Sequence, residues 1–303
     1  MSKLITVFGA TGNQGGSVIK HLLADSTIMQ SFKLRGITRD ISKPSAKALA
    51  AKGVELKSAD LNDEASVAQA IKGSHTVFLV TNYWETANPA TEIAQGKNVA
   101  NVAKKEGISH LIFSSLLNVT KTSKGKLAHV PHFDGKAEIE EYIKETGVPC
   151  SFILPGYFMS NLSQMLQKGE DGSLTWALPI SDDAKFPLFD TAEDTGKFVK
   201  AAIKSQSPPS GKQILCATDY YTPKQILSEI EEVTGKKTNF YKISSEQYKS
   251  YLPEFMAEEM LENHLFIEEP GYFNGASLDE SLGLLEEAPV TWKEFVKKSG
   301  DFN

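Results

Sequence analysis

The 303-residue sequence has little of what marks secreted, membrane-spanning or nucleic-acid-binding proteins. Its only two cysteines, Cys150 and Cys216, are too few for a disulfide framework or a thiolate metal site. No apolar run approaches the roughly 20 residues that a membrane helix requires. The 32 Lys and Arg stand against 38 Asp and Glu, a formal net charge of -6. This balance disfavours direct binding to nucleic acid or to an anionic membrane.

The first residues of the chain and its two free thiols bear on where in the cell the protein is found. Met1–Lys3 lead directly into an apolar run, which leaves no room for a signal peptide. Free thiols are typical of reducing compartments. We therefore expect a cytoplasmic protein, with the nucleus as a second compartment.

The first half of the chain alternates short β-branched runs with longer helical patterns, which is typical of βαβ units around a parallel sheet. This pattern predicts a doubly wound α/β Rossmann fold in which residues 1–155 form a dinucleotide-binding domain. Gly107 and Gly147 are predicted to end two of its helices. The predicted strands are Leu4–Phe8, Lys33–Thr38, Val54–Ala59, Thr76–Val80, His110–Ser115 and Cys150–Leu154.

The second half, residues 156–303, consists of helical patterns separated by prolines. It predicts a smaller C-terminal α/β lobe. Because no flexible linker separates the halves, we expect segments such as Thr191–Ser205 to pack back on the Rossmann sheet.

Three glycines follow the first predicted strand at a spacing of three residues: Gly9, Gly12 and Gly15. In a Rossmann unit such glycines provide a tight turn, a close approach to a pyrophosphate and close packing of the helix on the strand. The free N–H groups of the following helix would receive the phosphates. The motif therefore predicts nucleotide binding, and the alternative is a glycine-rich turn without a ligand.

The ends of the second and third strands bear on which nucleotide binds. Arg39 leaves the second strand first and Lys43 follows, so two cations could neutralise a 2′-phosphate, which favours NADP(H) over NAD. In the alternative, Arg39 is a solvated loop residue and Asp40 binds the ribose. Asp60 and Leu61 end the third strand, where adenine contacts lie in this architecture. Asp60 could equally be the N-cap of the next helix.

Four strings in this sequence resemble one family: VFGATGNQGG at residues 7–16, TNYWE at 81–85, HFDGK at 132–136 and GDFN at 300–303. On these strings the chain is identified as an NmrA-like member of the atypical short-chain dehydrogenase/reductase group. The resemblance spans essentially the whole length. It implies an NADP(H)-binding Rossmann domain and a regulatory protein that changes partners or assembly with the NADPH/NADP+ balance.

The resemblance also implies roles for matching residues. Lys136 would reach the nicotinamide ribose, and Tyr157 and Phe158 would close the nicotinamide end. Arg39 and Lys43 would recognise the 2′-phosphate, with Asp60 and Leu61 beside adenine. The remaining cofactor contacts it implies are Gly9, Ala10, Thr11, Gly12, Asn13, Gln14, Gly15, Thr81, Asn82 and Tyr83.

Catalytic short-chain dehydrogenases place a tyrosine four residues before the lysine, and here that position is His132 ahead of Lys136. The imidazole could exchange a proton near neutral pH. Ser114 or Ser115 could hold a carbonyl. We nevertheless expect Lys136 to position the cofactor without efficient turnover, and name His132 and Lys136 as the catalytic candidates.

Other chemistries have little support in the sequence. A metal site at His129 and His132 is not expected, because Pro131 would interrupt any helix that carries them and no third ligand is identifiable nearby. The Gly-x-Ser-x-Gly elbow of hydrolases and the lysine motif of P-loop nucleotide-binding proteins are absent.

Two functions remain open. In the first, the protein is an NADP(H)-responsive redox sensor whose partners are transcription regulators or metabolic enzymes, with a homodimer as one assembly. In the second, it is an NADPH-dependent reductase of a small carbonyl or quinone. An aromatic pocket containing Tyr83, Trp84, Tyr157, Phe158 and Phe186 would then receive the substrate.

Overall fold

The computed structural model describes residues 2–205 and 209–302. Met1 and Asn303, which enter the expectations above, lie outside the described residues.

Three sheets account for the strands of these residues. The strands are β1 (Lys3–Val7), β2 (Phe32–Thr38), β3 (Glu55–Ser58), β4 (Thr76–Leu79), β5 (His110–Ser114), β6 (Cys150–Pro155), β7 (Tyr157–Phe158), β8 (Gln167–Lys168), β9 (Leu174–Leu178), β10 (Phe186–Phe189), β11 (Lys212–Cys216), β12 (Asp219–Tyr221) and β13 (Thr238–Lys242).

The helices flank these sheets, and a 3-10 turn at Tyr83–Glu85 follows β4. They are α1 (Asn13–Ala24), α2 (Ser26–Ser31), α3 (Pro44–Ala50), α4 (Glu64–Ile71), α5 (Pro89–Lys105), α6 (Val119–Thr122), α7 (Pro131–Thr146), α8 (Met159–Met165), α9 (Thr191–Lys204), α10 (Pro223–Thr234), α11 (Ser245–Ser250), α12 (Glu254–Glu268), α13 (Asp279–Leu282) and α14 (Trp292–Ser299).

The central sheet is parallel, with the order β11-β6-β5-β4-β1-β2-β3. Its middle strands are buried on both faces, which explains their continuous apolar runs. The six predicted strands and the Rossmann fold are confirmed. Gly147 caps α7 in the left-handed conformation, as predicted, and Gly107 follows the end of α5 at a φ of 65°.

The second half of the chain contributes to this sheet more than the sequence predicted. Six strands were expected, but β11 adds a seventh beside β6. Helix α9 packs on α1, where a Cβ at Gly196 would lie 2.3 Å from the Ser17 carbonyl oxygen. The Gly196 N–H donates to the Ser17 hydroxyl at 3.0 Å. The expected return of the segment at Thr191–Ser205 is thus observed for α9.

The remaining strands build two small sheets of the second half, β12-β10-β7 and β13-β9-β8. Helix α12 brings buried polar side chains against α7, at the carboxyl edge of the central sheet. None of the described helices is long and apolar enough to cross a membrane.

Candidate functional site

The glycine turn joins β1 to α1 at the carboxyl edge of the sheet. Gly9 has a φ of 63°, a left-handed conformation that favours glycine, and its carbonyl accepts the Gly12 N–H at 2.9 Å. A Cβ at Gly15 would lie 2.3 Å from the Gly9 carbonyl oxygen, so Gly15 allows α1 to pack against the turn. Two of the three roles predicted for these glycines therefore have a direct steric basis.

The N-terminus of α1 is open to an anion. Gly12 is its N-cap and offers no side-chain hydrogen bond, and the first turn contains no acidic residue. Thr11, Gly12 and Asn13 are exposed. Free N–H groups and the positive helix end are the elements with which helices bind phosphate.

Arg39 and Asp40 differ in what their side chains do. The Asp40 carboxylate accepts hydrogen bonds from the Ser42 hydroxyl at 2.6 Å and the Ser42 N–H at 2.8 Å, which hold the pKa of that carboxyl below its usual value. The Arg39 side chain is 74% exposed and forms an ion pair with Glu85. Lys43 is exposed at the N-cap of α3. Lys43 is thus exposed and Arg39 is exposed but paired with Glu85, whereas Asp40 is engaged within its own loop.

Asp60 and Leu61 form the turn after β3. The Asp60 carboxylate accepts the N–H and the side-chain amide of Asn62 at 2.9 and 2.8 Å. Asp63, and not Asp60, is the N-cap of α4, since its carboxylate accepts the Ala65 N–H at 2.9 Å. The alternative that Asp60 caps this helix is therefore wrong.

A buried polar cluster follows β4 and joins Thr81, Glu92 and Lys136. The Lys136 ammonium donates to Glu92 Oε1 at 2.6 Å, to Thr81 Oγ1 at 2.8 Å and to the Thr81 carbonyl at 3.2 Å. The Thr81 hydroxyl donates to the same Glu92 oxygen at 2.7 Å. Because an ammonium has three N–H donors, Lys136 has no donor left for another acceptor in this arrangement.

A second cluster surrounds Glu259 of α12. His132 Nδ1 donates to the Glu259 carboxylate, with 2.5 Å between Nδ1 and Oε1, and His132 Nε2 lies 3.2 Å from Asn263 Nδ2. The Tyr83 hydroxyl donates to Glu259 Oε2 at 3.2 Å. Burial, together with this carboxylate, raises the pKa of Tyr83 to about 12. Both ring nitrogens of His132 are therefore bonded to protein side chains.

The two serines at the carboxyl end of β5, Ser114 and Ser115, are also engaged or buried. The Ser114 hydroxyl donates to Gln14 Oε1 at 2.7 Å, which links the end of β5 to the start of α1. Ser115 is fully buried. A substrate carbonyl would reach Ser114 only if Gln14 released it.

The aromatic pocket expected for a reductase is not assembled. Phe186 is fully buried and packs against Tyr157 and Trp176. The Tyr157 hydroxyl points into the core, where it donates to the Met165 sulfur at 2.9 Å, and burial raises its pKa. Phe158 is half-buried near Phe189. Of the five aromatic residues, Trp84 is exposed and Tyr83 is buried beside it.

Two carboxylates that the sequence did not place near His129 lie beside it in the structure, and the expectation that His129 and His132 form no metal site stays a prediction. Glu258 and Glu262 of α12 approach His129, and the three ligand atoms lie within 4.8 Å of one another. His132 is not part of this group. Both Glu262 oxygens accept hydrogen bonds from His129, one from its ring and one from its backbone. Pro131 does not interrupt a helix but begins α7.

The sequence of elements and the glycine turn match a known family along nearly the whole chain. A model of the NmrA-like family matches residues 1–296. The chain belongs to the NmrA-like family. It is 34% identical over 262 residues to the NmrA-like family domain-containing oxidoreductase ptmS of Penicillium ochrochloron, covering 78% of this chain and 75% of that protein. The resemblance predicted from the four sequence strings is confirmed.

Solved structures support the fold of this NmrA-like chain. NmrA, a negative transcriptional regulator in complex with NADP, superposes with a TM-score of 0.82 at 23% identity, covering 98% of this chain and 95% of that one. The NADPH-dependent quinone oxidoreductase QOR2 of Escherichia coli, in complex with NADPH, gives 0.79 at 23% identity, covering 99% and 100%. One is a regulator and the other an oxidoreductase, so the shared fold does not decide between these functions.

Sequence reasoning missed four polar residues of this NmrA-like site: Glu85, Glu92, Glu259 and Asn263. Glu92 is 1% exposed, and Glu259 and Asn263 are 8% exposed. Glutamate and asparagine are usually solvated, so Glu92, Glu259 and Asn263 could not be distinguished from surface residues in the sequence. Position in the chain was the one signal that could have pointed to two of them. Glu85 lies within the TNYWE string, and Glu92 lies in the first turn of α5.

Proposed function

We propose that this NmrA-like chain binds NADP(H) at the carboxyl edge of its central sheet and acts as a regulatory redox sensor. A change in the NADPH/NADP+ balance would then alter its contacts with protein partners, for which transcription regulators and metabolic enzymes are the candidate classes. A homodimer and a cytoplasmic and nuclear location belong to the same proposal. The resemblance of the four sequence strings to a human NADPH sensor of this family supports the proposal.

The observation that carries the proposal is that both catalytic candidates, His132 and Lys136, are hydrogen-bonded to other groups of the protein, whereas the N-terminus of α1 is open. His132 stands where catalytic short-chain dehydrogenases place a tyrosine, and its two ring nitrogens contact Glu259 and Asn263. Lys136 directs its three donors to Thr81 and Glu92. Hydride transfer to a carbonyl requires a proton for the developing alkoxide. These side chains bind and orient groups of the protein, and none is poised to supply that proton.

The cofactor assignment has separate support. The open N-terminus of α1 suits a pyrophosphate, and NADP and NADPH are bound in the two similar structures named above. When bound, the dinucleotide would supply hydride chemistry through its nicotinamide. Gly9 to Gly15 would receive its phosphates, Asp60 and Leu61 would border adenine, and Asn82 and Tyr83 would lie towards the nicotinamide ribose.

Replacing Arg39 tests the choice of dinucleotide. We expect Arg39→Ala to weaken NADPH binding about 10- to 100-fold, since a charge-assisted hydrogen bond contributes about 1.5–3 kcal/mol. NADH lacks the 2′-phosphate, so its affinity should change little. Titration calorimetry with both dinucleotides measures this, and Lys52→Ala, which removes an exposed cation beyond α3, is the control. Equal losses for NADPH and NADH would contradict the assignment.

A turnover assay tests the regulatory part. We expect purified protein to bind NADPH without oxidising it steadily when quinones, carbonyls or imines are supplied, because His132 and Lys136 are both engaged by other groups of the protein. The decrease of NADPH absorbance over time measures this, with catalytic QOR2 as the positive control for quinones. Steady oxidation at an ordinary enzymatic rate would overturn the proposal.

Such turnover would instead establish the second candidate, an NADPH-dependent reductase of a small carbonyl or quinone. Two observations favour keeping it. The similar Penicillium protein is named an oxidoreductase, and QOR2 reduces quinones on the same fold. Exposed Trp84 is a surface on which an aromatic substrate could stack.

A further inference from the structure

Arg39 already forms an ion pair with a carboxylate of the protein itself. Its guanidinium Nη1 donates to Glu85 Oε1 in an ion pair. Glu85 lies in the 3-10 turn after β4, whereas Arg39 follows β2. Because β2 and β4 are the two neighbours of β1 in the sheet, the pair links loops on both sides of the glycine turn. The Glu85 carboxylate is therefore already paired with the guanidinium that would bind the proposed 2′-phosphate.

The pair is placed so that a phosphate can displace the carboxylate. The side chains of Arg39 and Glu85 are 74% and 48% exposed, and exposed ion pairs are weakened by water and salt. A phosphate monoester carries a charge of about -1.5 to -2 at pH 7 and offers three acceptor oxygens. It can also bind a guanidinium through two parallel hydrogen bonds. Its attraction to Arg39 exceeds that of a single carboxylate.

We propose that Glu85 is the residue that reports the 2′-phosphate, an inference that rests on the proposed NADP(H) binding. Glu85 binds Arg39 when that phosphate is absent and is released when it arrives. The turn Tyr83–Glu85 therefore has one state with NAD(H) or no ligand and another with NADP(H). This change depends on phosphorylation of the dinucleotide and is the same for NADP+ and NADPH. A response to redox state has to come from the nicotinamide end.

The same turn connects the dinucleotide site with the second half of the chain. Tyr83 donates its hydroxyl to Glu259 of α12, and its carbonyl accepts the Ala87 N–H at 2.8 Å. Between Tyr83 and Glu85 lies Trp84, which is 46% exposed, with its ring 5.2 Å from that of His132. Release of Glu85 frees one end of the turn while Tyr83 remains anchored. The exposed surface around Trp84 changes as a result.

Removing the internal carboxylate should strengthen NADP(H) binding. We expect Glu85→Gln to tighten NADPH binding about two- to fivefold, the range expected for breaking an exposed ion pair, and to leave NADH unchanged. Glu106→Gln is the matched control, because it removes an exposed carboxylate beyond the far end of α5. Titration calorimetry measures all three proteins. Unchanged NADPH affinity in Glu85→Gln, or an equal gain for NADH, would overturn the inference.

Tryptophan fluorescence measures changes in the exposure of Trp84 and so in the turn Tyr83–Glu85. Trp176 and Trp292 are fully buried, so quenching by acrylamide reports mainly on Trp84, and Trp84→Phe verifies this. We expect adenosine 2′,5′-bisphosphate to raise the quenching constant and adenosine 5′-phosphate to leave it unchanged. In Glu85→Gln the acrylamide quenching constant should already be high without a ligand, and adenosine 2′,5′-bisphosphate should not raise it further. An equal response to both nucleotides would contradict the assignment of Glu85.

The two proposals fail in distinguishable ways. If the native protein binds neither dinucleotide, or binds NADH as tightly as NADPH, the proposed function is wrong and this inference with it. If the native protein prefers NADPH but Glu85→Gln behaves as Glu106→Gln does, only the role of Glu85 is wrong.

Discussion

Replacing Lys136 by methionine is expected to lower the free energy of unfolding by about 3–5 kcal/mol, the usual cost of removing one partner from a buried ion pair. The Glu92 carboxylate is 1% exposed and has Lys136 as its cation at 2.6 Å. Its second oxygen, Oε2, is buried and accepts no hydrogen bond within the described part of the chain. Without Lys136 a negative charge would remain buried with only the Thr81 hydroxyl to stabilise it. Chemical denaturation of the purified variant measures the loss.

Two further variants make this test specific. Glu92→Gln combined with Lys136→Met should recover most of the loss, because a neutral amide needs no cation and still accepts the Thr81 hydroxyl. Lys97→Met is the matched control, since Lys97 and Glu138 form an exposed pair at 2.8 Å between the same two helices. We expect that control to cost under about 1 kcal/mol. A Lys136→Met loss as small as this would contradict the view that Lys136 neutralises a buried carboxylate.

The stability of Lys136→Met also bears on the contact with the nicotinamide ribose that the family resemblance implies for Lys136. If the ammonium is required by Glu92, it can contact a nicotinamide ribose only while it keeps that carboxylate as a partner. One of the two contacts with Thr81 would then have to be exchanged for the ribose hydroxyl. A double-mutant cycle for Glu92 and Lys136, measured with and without NADPH, would show whether the ligand changes their coupling.

Gly15→Ala should weaken NADPH binding roughly tenfold or more, because its Cβ forces the glycine turn apart and overpacking of this kind costs about 1–3 kcal/mol. That Cβ would lie 2.3 Å from the Gly9 carbonyl oxygen and 2.6 Å from the Phe8 carbonyl oxygen. Both atoms belong to the backbone, so neither can move aside without changing the turn. Calorimetry with NADPH and thermal unfolding together measure binding and stability.

The neighbouring glycine supplies the control. At Gly16 the nearest atom to an added Cβ is the Ala10 carbonyl oxygen at 3.6 Å, an ordinary contact. Gly16→Ala should therefore bind NADPH as the native protein does, and it should stabilise α1 by about 0.5–1 kcal/mol. If Gly15→Ala and Gly16→Ala bind NADPH equally well, close packing at Gly15 is not what the dinucleotide site requires.

The strands of the parallel sheet could be predicted from the sequence where they are continuous apolar runs. The stretch from His110 to Ser114 is buried at every position and was recognised as a strand. The stretch from Lys212 to Cys216 was not recognised, because it begins with the exposed polar residues Lys212 and Gln213 and lies at the edge of the sheet. Its position beside β6 is fixed by pairing across about sixty residues of chain, which local pattern does not reveal.

The candidate site was predictable where the backbone determines it and not where distant side chains meet. The Gly9 turn and the open end of α1 follow from glycine spacing, and both are observed. Lys136 and Glu92 are 44 residues apart, and His132 and Glu259 are 127 apart. These contacts depend on how helices pack, so a sequence presents the same glutamates as surface residues. The lysine was foreseen as a cofactor ligand, but its present partners were not.

The seventh strand limits how the molecule can respond to anything it binds. The half of the chain that carries α12 also supplies β11, and five consecutive residue pairs join β11 to β6. Swinging the two halves apart would break this ladder and expose its backbone amides, so a wide domain closure is strongly opposed. We expect signals to pass instead through partner exchange among single side chains along the sheet edge, a process fast enough to follow minute-to-minute changes in metabolite supply.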